Sequence, residues 1–145
     1  MDLSIRIFLI DEHGPARDIL AHRLESIHGL WVVGFTSDSE AAIREIVTLW
    51  PDLVLVDTKM KQADGMDVCR RVLGADEQIK VAVLTSYLDP DERRQACEAG
   101  VEGYLLKIVD THSLSGWIRL AVKRKPTRVL EIAILLLTSA LDQGW

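Results

Sequence analysis

Five short apolar runs at nearly even spacing constrain this chain more than any other feature. They are Ile5–Ile10, Trp31–Phe35, Leu53–Val56, Lys80–Leu84 and Gly103–Leu106. Each is four to six residues long and rich in Val, Ile, Leu or aromatic side chains. Near-continuous apolar runs of that length suit strands covered on both faces, as in a parallel sheet. Between them lie segments with helical signals. Pro15 suits an early helical position, followed by an apolar stripe of Ile19, Leu20 and Leu24. Ser37 or Asp38 is a candidate cap for a helix carrying Ala41, Ala42, Ile43 and Ile46, stopped by Pro51. Asp64-Gly65 opens a third helix with Val68 and Val72 inward. Asp89-Pro90 opens a fourth, and Gly100 closes it. A fifth spans about Ser113 to Arg124 and buries Leu114, Trp117, Ile118 and Val122.

Strand and helix alternate five times, which predicts an open, doubly wound α/β sheet. Right-handed crossovers leave few topologies, and a flavodoxin-like five-stranded parallel sheet of order 2-1-3-4-5 with five flanking helices is expected. A chain of 145 residues suits one domain with a substantial core, and 48% hydrophobic with 27% charged residues is a globular composition. The expected division is 1–125 for this domain and 126–145 for a C-terminal helix or linker. A net charge of -5 argues against direct nucleic-acid binding, which favours a basic stripe. No apolar run approaches the roughly 20 residues that span a bilayer. Met1-Asp2 does not begin a secretory leader, and Cys69 and Cys97 lack metal-binding spacing, so a cytoplasmic protein with reduced, buried thiols is expected.

In such a sheet, sites lie beyond the carboxyl ends of the strands, near the switch point between the first and third. The first strand ends in Asp11-Glu12, the third in Asp57-Thr58, the fourth in Thr85-Ser86 and the fifth in Lys107. Each has an ordinary reading alone, as a strand-end charge, a loop-entry aspartate or a helix cap. Together they are complementary. Clustered carboxylates repel unless a cation or a lysine neutralises them, and hard oxygen ligands suit Mg²⁺. Positioning plus positive charge at a carboxylate favours phosphoryl transfer onto that carboxylate. No glycine-rich phosphate loop is present.

These residues resemble the receiver domain of bacterial two-component response regulators over roughly residues 4–124. The matching pieces are Phe-Leu-Ile-Asp-Glu-His (8–13), Pro-Asp-Leu-Val-Leu-Val-Asp-Thr-Lys-Met (51–60), Ala-Asp-Gly-Met-Asp (63–67), Val-Leu-Thr-Ser (83–86) and Ala-Gly-Val-Glu-Gly-Tyr-Leu-Leu-Lys (99–107). The resemblance implies that Asp57 accepts a phosphoryl group from a phosphohistidine on a sensor histidine kinase or phosphotransfer protein. It implies Mg²⁺ held directly by Glu12, Asp57 and the main-chain carbonyl of Lys59, with Asp11 acting through water. Lys107 would pair with the phosphoryl group, Thr85 would turn its hydroxyl toward it, and Tyr104 would be the aromatic switch. The residues alone allow Tyr104 to be a half-buried strand aromatic. The implied output is a protein-interaction face of the fourth helix, fifth strand and fifth helix, which makes the chain a signalling switch and not a turnover enzyme.

Three departures stand out. The acidic pair is Asp-Glu where Asp-Asp is commoner, Lys61 stands where proline is usual, and Ile108 follows Lys107 where proline is frequent. Lys59 and Tyr87 sit where side chains could shield or admit water attacking the acyl phosphate. In Val129–Leu137 eight of nine residues are apolar, so a helix there needs a partner surface. That surface is its own domain, a second copy in a dimer or something absent from this chain; the expected homodimer pairs through this helix or through the face of the fourth helix, fifth strand and fifth helix. The segment also resembles the linker of regulators bearing a LuxR-type helix-turn-helix, so two further readings stand beside the receiver switch. One is the receiver fragment of a DNA-binding transcription regulator. The other is an interaction module that works without phosphorylation.

Overall fold

The computed structural model describes residues 4–123 of the chain. Ten elements alternate: β1 (Ile5–Ile10), α1 (Gly14–Glu25), β2 (Leu30–Thr36), α2 (Ser39–Leu49), β3 (Leu53–Val56), α3 (Gly65–Ala75), β4 (Lys80–Thr85), α4 (Pro90–Ala99), β5 (Gly103–Leu106) and α5 (Thr111–Lys123). The strands form one parallel sheet of order β2-β1-β3-β4-β5, the flavodoxin-like arrangement expected from the alternation. From β1 the chain winds outward to β2 and then crosses back to β3. The crevice at that reversal therefore lies between the ends of β1 and β3. The apolar segment at 129–137, and the domain or dimer contacts expected of it, lie outside the described residues.

Alternation along the strands divides the core into two layers. Phe8, Ile10, Val54, Val56, Val81 and Val83 face α2, α3 and α4, where Ile46, Val68, Val72 and Ala96 meet them. Ile7, Leu9, Leu53, Leu55, Ala82 and Leu84 face α1 and α5, against Leu24, Leu114 and Ile118. Every residue of β3 and β4 is buried, which explains why those runs show no polar alternation. At 25 cal/mol per Å², burying each such side chain contributes about 1.5–3 kcal/mol.

Helix starts follow the expected chemistry. Asp38, Asp64 and Asp89 each accept two backbone N–H bonds from the first turn of α2, α3 and α4. Gly100, at φ 93°, closes α4. Pro51 stops α2 as expected: it disfavours the helical region at the residue before it, and Trp50 ends the helix in a left-handed conformation at φ 51°. Two expectations need correction. The α1 stripe consists of Leu20 and Leu24, while Ile19 is 63% exposed beside it. Cys69 is buried, with its thiol pushed up to about 12 chiefly by desolvation, but Cys97 is exposed.

Lys80 plays a role not anticipated from a strand-leading lysine. Its ammonium is buried and donates to the carbonyls of Ala121 (2.6 Å) and Val122 (2.9 Å), fastening the last turn of α5 beneath the sheet. At the opposite end, Gly65 lets α3 begin directly against the residue after Asp57. A Cβ there would stand 2.4 Å from the Thr58 Cα. Gly65→Ala is therefore expected to destabilise the domain by about 1–3 kcal/mol, read as a lower urea midpoint at unchanged slope. An unchanged midpoint would show that this contact relaxes freely.

Candidate functional site

The strand ladders extend past their last residues and deliver the site. The Asp57 N–H donates to the Ile10 carbonyl (2.9 Å), and the Lys107 N–H to the Thr85 carbonyl (2.7 Å). Asp11 and Asp57 thus leave neighbouring strands side by side, while Lys107 leaves β5 and reaches across the end of β4. Its Nζ lies 2.7 Å from Asp11 Oδ2 and 2.6 Å from Asp57 Oδ2. Both carboxylates are buried. Burial alone pulls an ammonium pKa down, but the hydrogen bond to Asp11 and the ion pair with Asp57 outweigh it and raise that of Lys107.

One ammonium against two carboxylates leaves a net negative charge in a buried crevice. Asp57 Oδ1 accepts the Lys59 N–H at 2.9 Å, whereas Oδ2, despite the close ammonium, accepts no hydrogen bond of acceptable angle. Each carboxylate oxygen carries two lone pairs, so the crevice has both the charge and the acceptor capacity to take a cation beside Lys107. Among the described residues, the metal-ligating atoms lying within 4.8 Å of one another belong to Asp11, His13 and Asp57.

His13 was not singled out from the sequence. Its N–H donates to Asp11 Oδ1 (2.8 Å), and its Nδ1 lies 3.2 Å from that oxygen and 3.6 Å from Asp57 Oδ2. Glu12 is placed otherwise than expected. Its carboxylate accepts the backbone N–H groups of Lys61 and Gln62, each at 2.7 Å, and so braces the loop between β3 and α3. Lys61, without the proline usual there, has an N–H to donate, which helps to hold Glu12 in this position.

Thr85 is fully buried at the end of β4, and its hydroxyl donates to the Tyr87 carbonyl (2.9 Å). In this setting it is not directed at Asp57. Tyr104 on β5 is half-buried and donates to Glu92 Oε1 on α4 (2.9 Å). The Lys59 side chain reaches Glu92 Oε2 (3.2 Å) and lies over the Tyr87 ring, 4.2 Å from its centre. The expected shield residues Lys59 and Tyr87 therefore touch each other above the site. The Lys107–Ile108 peptide is trans, and Ile108 is 83% exposed. Glu92 went unnoticed because an acid in the first turn after Asp89-Pro90 reads as ordinary helix-dipole chemistry.

Residues 7–119 match the family described as the response regulator receiver domain. The chain belongs to that family. It is 35% identical over 129 residues to the transcriptional regulatory protein LiaR of Bacillus subtilis, covering 89% of this chain and 61% of that protein. It is 30% identical over 117 residues to the response regulator protein VraR of Staphylococcus aureus, covering 81% and 56% respectively. The receiver chain thus spans only about three-fifths of the curated relatives it matches. Among solved structures, a LuxR-family two-component response regulator from Aurantimonas sp. SI85-9A1 superposes with a TM-score of 0.76 at 25% identity, covering 92% of this chain and 99% of that one. A receiver domain protein from Clostridium thermocellum gives 0.75 at 29% identity, covering 83% and 96%. No helix among the described residues of this receiver is long and apolar enough to cross a membrane.

Desolvation, then the bond to Glu92, pushes the Tyr104 phenol up to about 12 from an ordinary 10.0. A raised acid binds more protons in the folded than in the unfolded state. Its contribution is complete below pH about 10 and is lost as pH rises through about 12. Chemical denaturation across that window should show stability falling with pH, and Tyr104→Phe should flatten the fall. An equally steep loss in the variant would assign the slope to other groups.

Proposed function

We propose that this receiver is the phosphorylated switch of a two-component pathway, with Asp57 as the acceptor. The observation that carries this reading is the buried Asp57 carboxylate at the switch point, with the Lys107 ammonium 2.6 Å from its Oδ2. A carboxylate is already a nucleophile, so no general base is required. One of its oxygens forms the new bond to phosphorus as the phosphorus–nitrogen bond of a donor phosphohistidine breaks, and the imidazole leaves. Lys107 lies where the added negative charge develops and stabilises it there. Asp11 and Asp57 would hold Mg²⁺, with Glu12, the Lys59 carbonyl and His13 as neighbouring donors. The ion would supply a second positive charge toward the phosphoryl oxygens.

The donor is a sensor histidine kinase or phosphotransfer protein in the cytoplasm, and the output is a change in the face made by α4, β5 and α5. Acting once per signal, the domain is a switch whose own chemistry serves only to load and unload it. A second reading is favoured by one specific observation: LiaR is described as a transcriptional regulatory protein, and the chain covers 61% of it. On that reading the receiver governs a DNA-binding portion beyond residue 145.

Incubation with acetyl phosphate and Mg²⁺, followed by intact-mass measurement, should give one phosphoryl adduct. The adduct should vanish with chelator and in Asp57→Asn. A persisting adduct in Asp57→Asn, or none in the unaltered protein, would instead support an interaction module that works without phosphorylation.

A further inference from the structure

We propose that Glu92 is a latch that couples the loop after Asp57 to Tyr104 and holds the unphosphorylated setting of the α4–β5 surface. The inference rests on the reading of Asp57 as phosphoacceptor and adds a positioning residue to it.

Glu92 gathers three side-chain donors from two distant segments. Thr58 Oγ1 and Tyr104 Oη donate to its Oε1, and Lys59 Nζ donates to its Oε2 at 3.2 Å. Thr58 and Lys59 directly follow Asp57, and the Lys59 N–H is itself bonded to the Asp57 carboxylate. Tyr104 stands on β5, and its hydroxyl also accepts the Asp89 N–H (3.3 Å) at the entrance to α4. An acid serving only the helix dipole has no need of such partners. Asp91, one residue earlier in the same turn, shows that behaviour with its side chain 85% exposed, whereas that of Glu92 is 15% exposed. Bonds to an ionised acceptor in a sheltered position are the strong kind.

A phosphoryl group on Asp57 opposes this clasp in two ways. It adds negative charge close to a carboxylate, and it offers the Lys59 ammonium a competing anion. Loss of Lys59 and Thr58 from Glu92 would free the Tyr104 hydroxyl, and with it the start of α4. The clasp therefore favours the unphosphorylated setting. By linkage, whatever weakens it must strengthen binding of a ligand selective for the phosphorylated setting.

Beryllofluoride with Mg²⁺, a stable mimic of the acyl phosphate, reads this directly in calorimetric titrations. Glu92→Gln is expected to bind it about 5- to 20-fold more tightly than the unaltered protein, within the usual range of coupling between sites. Thr58→Val, which attacks the clasp from the other side and keeps the side-chain shape, should shift affinity in the same direction. Glu98→Gln, on the exposed face of α4, should leave it unchanged. Combining Glu92→Gln with Tyr104→Phe should give less than the product of the two single effects, because the first weakens and the second removes the same contact. Unchanged or weaker binding in both Glu92→Gln and Thr58→Val would overturn the latch, as would fully multiplicative effects with Tyr104→Phe. Failure of the unaltered protein to bind beryllofluoride would overturn the phosphoacceptor reading, and the latch with it.

Discussion

The Lys107 ammonium, held between Asp11 and Asp57, is the contact on which the arrangement at this edge of the sheet depends. It joins the ends of β1, β3 and β5 across the end of β4, so the three ladders from β1 to β5 must run in register for it to form. Such buried ion pairs are weak evidence for stability, since desolvation offsets most of the attraction. Removing the lysine alone would leave two buried carboxylates facing each other. The arrangement makes better sense as a charge imbalance that leaves the crevice able to accept a further cation.

Around that centre, the neighbouring groups divide into a brace and a clasp. Glu12 ties the end of β1 to the loop before α3, and Gly65 lets that helix start against Thr58. These contacts hold Asp57 from one side. On the other side Thr58 and Lys59 meet Glu92, and Glu92 meets Tyr104. Asp57 is thus braced toward α3 and connected through exchangeable charged bonds toward α4. A charge added at Asp57 acts first on the side built from charges.

The fold is legible in the sequence because β3 and β4, buried on both faces, leave unbroken apolar runs that the half-buried β5 and the partly exposed β2 still echo, and Asp38, Asp64 and Asp89 announce the helices between them. Gly100 marks the end of α4 equally plainly. The places where sequence reasoning falls short are those decided by tertiary geometry. Ile19 sits one position off its stripe, and Cys97, read as buried, is exposed. Within the site, Asp11, Asp57 and Lys107 are legible as strand-end residues of opposite charge, and the structure brings them together. The positions of Glu12, His13 and Glu92 are not legible. A carboxylate one bond longer than aspartate's can turn to nearby backbone N–H groups. Nothing local shows that Glu92 will meet Tyr104, which is 12 residues away along the chain.

The central claim is that phosphorylation occurs at Asp57 itself, and locating the bond tests it most directly. Borohydride reduces an aspartyl phosphate to homoserine, so a loaded sample treated with it and digested should carry homoserine at residue 57 and nowhere else. Finding the residue at Asp11 or another carboxylate, or finding a modification resistant to borohydride, would contradict the account.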